Sequence, residues 1–257
     1  MSGAGRQRDE VSVKPLSDDA LANARPLGHS WTWFRAAVLL LAGFLGLQCV
    51  WLLAAEYWRS TLRQLPTTAL AASAAVQQRD SAALAASIGL VRGELWAESA
   101  FSYANILFDD PGQNGKTNLA AKLASLGPAL QRALDRAPTQ SGAWLLRAGL
   151  ALRYPFLGFN ALDALKMSYY TSPSAQELAT LRVAFTSKLH WSSDVEMRQF
   201  VARDLRVLLA QKRVSVIAET YDASSPPERE MIEQTLTADQ PILRWLRSGP
   251  SRKSMTD

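Results

Sequence analysis

Between Arg35 and Glu56 the chain runs for twenty residues without a charge, from Ala36 to Ala55, AAVLLLAGFLGLQCVWLLAA. At about 1.5 Å of rise per residue, a helix of this length reaches across a hydrocarbon core of roughly 30 Å. A lone span in lipid must satisfy its backbone amides internally, so it has to be helical. Trp31, Trp33, Trp51, Tyr57 and Trp58 lie near its ends, where rings settle at the headgroup level. A buried helix of a soluble core is the competing reading, but apolar runs there are shorter, roughly 10–14 residues. A cleaved signal peptide fits poorly as well. The run exceeds the usual core of about 7–15 residues, and cuts after Ala55 or Ala54 would leave Leu53 or Leu52 where a small residue is required. The expectation is an uncleaved signal-anchor, a single transmembrane helix over residues 31–58.

That anchor divides the chain. Residues 1–30 are polar, contain Pro15 and Pro26, and read as a disordered tail. Residues 59–247 are long enough for one domain with its own core, and residues 248–257 read as a second disordered tail. Charge gives a weak orientation. Arg25 and Arg35 before the span are matched by Arg59 and Arg63 after it, and Arg6, Arg8 and Lys14 tip the balance toward a cytoplasmic N-terminus. The domain would then be periplasmic, anchored in the inner (cell) membrane.

Composition removes several function classes. The net charge of +5 leaves 23 basic and 19 acidic residues after Arg35, which is no nucleic-acid footprint. Cys49, inside the span, is the single cysteine, so neither an intrachain disulfide nor a cysteine zinc site can form. With only His29 and His190, histidine-rich metal sites are excluded too. No cofactor is expected.

After the span the pattern is helical. Residues 56–65 read as a continuation of the anchor helix, stopped by Pro66. Leu84, Ile88, Val91, Leu95, Ala100, Tyr103 and Leu107 suggest a buried stripe, with Gly89 and Gly93 dividing or bending it. Asp109 to Lys116 is a loop signal. Leu119, Leu123, Leu126, Leu130 and Leu134 make an amphipathic stripe, which Gly127–Pro128 should kink or divide and Pro138 should end. Further helices are expected around Trp144 to Leu152 and Ala161 to Tyr170. Ser174, Ser193 and Ser225, each with a glutamate three residues on, read as capping boxes, the last with Pro226 at the first helical position. Met197, Val201, Leu205 and Leu208 form a buried stripe, and Pro241 starts a last short helix. The one strand candidate, VSVIA at 214–218, is too isolated to build a sheet. The predicted fold is all-α: one transmembrane helix, then a solenoid-type array of short helices.

Some positions resemble a degenerate tetratricopeptide repeat. Trp96 and Tyr103 have that family's helix A spacing, Ala133 and Pro138 its helix B spacing, and Trp144 follows where the next helix A should open. Ser168 to Pro173 repeats the closing spacing with Ser for Ala. The two tryptophans are 48 residues apart, against about 34 in the family, with an insertion around DDPGQNGKTNLAAK. The C-terminal two-thirds is also similar to membrane-anchored helical-repeat proteins encoded near bacterial envelope-polysaccharide genes. These resemblances imply a binding scaffold of the cell envelope, with a role in polysaccharide biosynthesis.

Candidate chemistry is sparse. DPGQNGKT at 110–117 ends like a phosphate-binding loop, but Asp110 stands where that loop needs glycine, and no strand precedes it. VSVIAE at 214–219 imitates a strand ending in an acid without a sheet to belong to. His190 lacks a G-x-S-x-G nucleophile to serve and is expected at a helix C-terminus. The pairs Asp109–Asp110 and Glu228/Glu230 read as solvated or capping groups. Trp144, Tyr154, Phe156, Phe159, Tyr169 and Tyr170 form an aromatic set that either packs between helices or lines a partner groove. Ala42, Gly43 and Gly46 would let two copies of the span approach as a homodimer.

The expectation is therefore a non-enzymatic, single-pass scaffold or adaptor. It would hold envelope or membrane proteins at the bilayer, possess no nucleic-acid role, and engage lipid through the run from Ala36 to Ala55. The alternative is a glycan-acting helical lyase or hydrolase.

Overall fold

The computed structural model describes residues 28–108 and 116–248, with side chains from Trp31 and, in the second stretch, from Leu119. The N-terminal tail, the Asp109–Gly115 loop and the tail beyond Ser248 lie outside the described residues. Among the described residues there are twelve α-helices and no strand. They are α1 (Gly28–Tyr57), α2 (Ala69–Val76), α3 (Arg79–Ile88), α4 (Gly93–Phe101), α5 (Lys116–Arg136) and α6 (Ser141–Arg153). There follow α7 (Ala161–Thr171), α8 (Ala179–Thr186), α9 (Val195–Ala210), α10 (Val214–Ala223), α11 (Pro226–Thr235) and α12 (Gln240–Arg247). Single 3-10 turns stand at Ala104–Leu107, Pro155–Leu157 and Gln176–Leu178. The all-α expectation holds.

The chain separates into two compact units, Met1–Val50 and Trp51–Asp257. In the first, every described side chain is exposed. The segment Trp31–Tyr57 is long and apolar enough to cross a membrane. A side chain added at Gly43 or Gly46 would meet nothing within 4 Å.

In the second unit the long apolar helix stops at Tyr57, eight residues before the expected end at Leu65. Arg59 leaves the helical path because its guanidinium is drawn into a carboxylate cluster. Its Nε donates to Glu98 Oε1 at 2.9 Å, its Nη2 bonds the same oxygen at 2.6 Å, and its Nη1 reaches Glu56 at 3.0 Å. Glu98 is only 2 % exposed, so the pair is a charge-assisted contact sheltered from water. The segment Trp58 to Thr68 is irregular, with Ser60 and Leu65 buried against the core.

Helix starts follow local chemistry, not always where the sequence pattern puts it. Thr68 Oγ1 accepts from Ala71 N–H, Asn160 Oδ1 from Leu162 and Asp163, and Asp194 Oδ1 from Glu196 and Met197. Asp194, not Ser193, therefore caps α9, since a carboxylate is the stronger acceptor at a helix N-terminus. The Ser174 box is not formed; the chain there makes a 3-10 turn and α8 begins at Ala179. Ser225 stands at the N-cap of α11, but its hydroxyl caps nothing. Pro226 and Pro227 occupy the first two helical positions, so of the two amides such a hydroxyl could bond only that of Glu228 remains, and it is not used. Residues 214–218 are helical, not a strand. Val214, Ile217, Ala218 and Tyr221 fall at i, i+3, i+4 and i+7, a helical face that β-branched content disguises.

The stripe on α5 is buried at Leu126, Leu130 and Leu134 and partly so at Leu119 and Leu123. The helix is not divided at Gly127–Pro128. Proline forfeits the bond to the carbonyl of Ala124, on an exposed face where water can replace it. On α3 the buried residues are Ala82, Ala85 and Ala86, whereas Leu84 is exposed, and Val91 lies in an exposed turn. Of the expected stripe, Ile88, Leu95, Ala100, Tyr103 and Leu107 pack on the core while Leu84 and Val91 do not, and three helices fill residues 69–101 in place of two or a single bent one. Met197, Val201, Leu205 and Leu208 are all fully buried on α9.

α4 packs most extensively on α5, and α6 on α7, with α8 bridging α6, α9 and α10. Two glycines on one face of α6 make this close packing possible. A Cβ at Gly142 would stand 2.9 Å from Phe101 Cζ, and one at Gly149 would stand 2.7 Å from Phe185 Cζ.

Candidate functional site

The six aromatic residues singled out by sequence fall into three separate settings. Tyr154 is buried after α6, with Phe156 edge-on at 5.9 Å between ring centroids and 72 % exposed. Trp144 and Phe159 share the Arg147 guanidinium, at 5.7 and 4.4 Å from their centroids, and Trp144 Nε1 donates to the Pro138 carbonyl at 2.7 Å. Tyr169 is fully buried and stacks on Phe200 at 4.8 Å, while Tyr170, half exposed, meets the same ring edge-on and bonds Glu196. The structure does not bring these six into one groove. What it does place together is Phe159 and Arg147 at the rim of a small apolar notch of about 60 Å³ between α5 and α6, floored by Leu126 and Leu130.

A polar cluster that sequence reading missed lies between α7, α8 and α9. Arg182, on the apolar face of α8, is fully buried. Its Nε donates to Ser168 Oγ at 3.1 Å, and its Nη2 donates to the carbonyls of Ser168 and, at 3.0 Å, Ser172. It thereby caps the C-terminal end of α7, where carbonyls lack helical partners and cations are favoured. The guanidinium also lies 4.5 Å from the Tyr169 ring. Asp204 faces this group from α9 and is 3 % exposed. Burial pushes its carboxyl up to about 6, against the pull of Arg182, Tyr169 and Arg203. Burial likewise pushes the Tyr169 hydroxyl well up, helped by the negative charge of Asp204. The hydroxyl and Asp204 Oδ2 face each other without completing a hydrogen bond of good geometry. One usable hint of the cluster was present in the chain, an arginine and an aspartate on otherwise apolar helix faces.

A further polar cluster, beside an open cleft, is at the start of α11. A cleft of about 320 Å³ is lined by the 187–190 turn after α8 and by the α10–α11 connection. Glu228, read from sequence as a solvated acid, is instead 2 % exposed. Its Oε1 accepts from Ser192 Oγ at 3.0 Å, whereas its Oε2 and the Ser225 hydroxyl have no protein hydrogen-bond partner. Glu230 points outward and bonds Gln234. Lys188 and the exposed His190 line the same cleft, and His190 sits four residues beyond the end of α8. Arg229 is engaged, donating to the carbonyls of Tyr221 at 2.9 Å and Asp222 at 2.7 Å, where it closes α10. The Ser192 hydroxyl bonds the carboxylate directly, without an imidazole between them as a Ser-His-acid relay uses. As arranged, the cleft can accept hydrogen bonds from an amine or a hydroxyl group. Lys116 begins α5, and the acids Asp109 and Asp110 lie outside the described residues.

No family model, no curated protein and no solved structure matches this chain, so any function assigned to it has to come from the geometry above.

Proposed function

We propose that this chain is a single-pass scaffold of the bacterial inner membrane, with a cytoplasmic N-terminus and a periplasmic, tetratricopeptide-like helical domain. The domain holds envelope proteins at the bilayer, in polysaccharide synthesis or export, and copies can pair through Ala42, Gly43 and Gly46. The observation that carries this reading is the apolar helix Trp31–Tyr57, which runs directly into a helical domain at the Arg59–Glu98 pair. Partner contact is best supported at the α6–α7 connection. Phe156 presents its ring to solvent there, and Phe159 with Arg147 edges the apolar notch. Rigid aromatics and arginine are the side chains that most often anchor interfaces.

A photo-crosslinking residue at Phe156, in the full chain in its own membrane, should give a discrete adduct with one envelope protein. Arg147→Glu should reduce that adduct at least about tenfold, the effect of losing roughly 1.4 kcal/mol of binding. Adducts with lipid alone, or one indifferent to Arg147, would remove the partner surface. A C-terminal reporter active only outside the cytoplasm checks the orientation, and its silence in an expressed fusion would reverse it.

A second reading, a glycan-acting lyase or hydrolase, has the buried Glu228 carboxylate behind it. If that reading holds, acidic or neutral oligosaccharides should perturb the Ser192 and Ser225 amide resonances, and Glu228→Gln should abolish turnover while leaving the fold intact. Unmoved resonances at millimolar sugar would retire it.

A further inference from the structure

We propose that the Leu90–Val91 turn is a second membrane contact, which seats the helical domain against the anionic leaflet from which the anchor emerges. The inference rests on the reading of Trp31–Tyr57 as a membrane span and adds to it a surface of the domain itself.

The turn is apolar where an ordinary surface turn would be polar. It connects α3 to α4, and Leu90 is 50 % and Val91 84 % exposed. Its place beside the end of the apolar run is fixed at both ends. A Cβ on Gly89 would lie 3.7 Å from the Ala55 Cβ, and Arg92 Nη1 is 3.2 Å from Glu56 Oε2. Ala55 is the last residue of the uncharged run and Glu56 the first charge after it. Successive Cα atoms are about 3.8 Å apart, so Val91 lies within about 7.6 Å of Gly89. The interfacial layer of one leaflet is roughly 5–8 Å deep. Leu90 and Val91 are thus close enough to Ala55 to reach that layer when Ala55 is at its inner edge.

The surroundings suit the same layer. Tyr57 and Trp58, the two residues after Glu56, are exposed, as interfacial rings are. Trp96 Nε1 donates to the Leu90 carbonyl at 3.3 Å, holding the turn in shape. The Arg132 guanidinium lies over the Trp96 ring at 4.5 Å and that of Arg136 at 5.8 Å. Both arginines are on the exposed side of α5. Arg59 and Arg92 answer two of the three carboxylates Glu56, Glu94 and Glu98, and Arg132 and Arg136 bring these seven groups to a net positive charge that an anionic headgroup would meet. An apolar tip flanked by arginine and tryptophan is the pattern of interfacial binding.

The test uses the full chain with Cys49→Ala, reconstituted in phosphatidylcholine vesicles with or without phosphatidylglycerol. A nitroxide is attached at Val91→Cys, with reference sites at Leu45→Cys in the span and Ala210→Cys on the exposed side of α9. Collisions with oxygen, which partitions into lipid, and with a water-soluble nickel chelate report where each label sits. With anionic lipid, the Val91 label should be several-fold less accessible to nickel than the Ala210 label and more accessible to oxygen. Neutral vesicles, or Arg132→Glu with Arg136→Glu, should move it toward the Ala210 values. If Leu45 is in lipid but Val91 matches Ala210, the second contact is wrong and the anchor stands. Protection from both colliders would mean burial against protein, which overturns the proposal, and equal protection in neutral vesicles would overturn its anionic part. A Leu45 label as open to nickel as Ala210 would remove the span, and this inference with it.

Discussion

Replacing Arg182 by Met should destabilise the helical domain by about 3–5 kcal/mol, the usual cost of removing one member of a buried charged cluster. The methionine can fill much of the volume but donates nothing. The carbonyls of Ser168 and Ser172 would then end α7 unpartnered in the core, and Ser168 Oγ would lose its donor. Asp204 would also lose the cation that opposes its burial. In a domain of this size each kcal/mol moves the midpoint by roughly 2–4 °C. Thermal unfolding followed by circular dichroism should therefore show a drop on the order of 10 °C. A loss below about 1 kcal/mol would mean that α7 closes without the guanidinium.

The second large effect is a pH dependence. Asp204 titrates near 6 in the folded chain, against 3.8 for an ordinary aspartate, with burial as the main cause. The folded state thus holds this proton over a pH range in which the unfolded chain has already released it. Its contribution to stability is complete below about pH 4 and is lost as pH rises through about 6. The gap between those two values corresponds to about 3 kcal/mol. The other shifted carboxylates run the opposite way. Asp194, held low mainly by Lys166, and Glu233, held low mainly by Arg247, lose stability as pH falls. The quantity to measure is therefore the difference between the native chain and Asp204→Asn, by denaturant unfolding at pH 4 and pH 7. The native chain should lose about 3 kcal/mol relative to the variant across that interval. A flat difference would show that Arg182 and Arg203 already compensate the charge in full.

Where sequence reading succeeded, one physical signal dominated. The uncharged run has no competitor for its length, and the leucines of α5 and the Met197–Leu208 stripe of α9 repeat at helical spacing with polar residues between them. Where it failed, two signals competed. In the alanine-rich α3, size suggested that Leu84 faces inward, but close packing selected the small faces of Ala82, Ala85 and Ala86. At 214–218 β-branching masked a helical face. At Ser193 a hydroxyl box lost to the carboxylate beside it. The candidate site was less legible still. Whether Glu228 is solvated depends on Ser192, thirty-six residues away, and on the turn at 187–190, neither of which local spacing reveals. The aromatic set shows the same limit, since its members are close in sequence and yet are shared out among Ile106, Arg147 and Phe200.

The two glycines of α6 have a bearing on how the chain is made. Phe101, seated against Gly142, is synthesised before α6, whereas Phe185, seated against Gly149, is synthesised after it. A nascent chain that has just finished α6 holds one phenyl ring in place and a bare glycine surface seven residues further along. That surface stays uncovered until α8 has emerged. The helix at the centre of the domain is thus left half-clothed during translation, at a stage when the long apolar helix Trp31–Tyr57 has already been made.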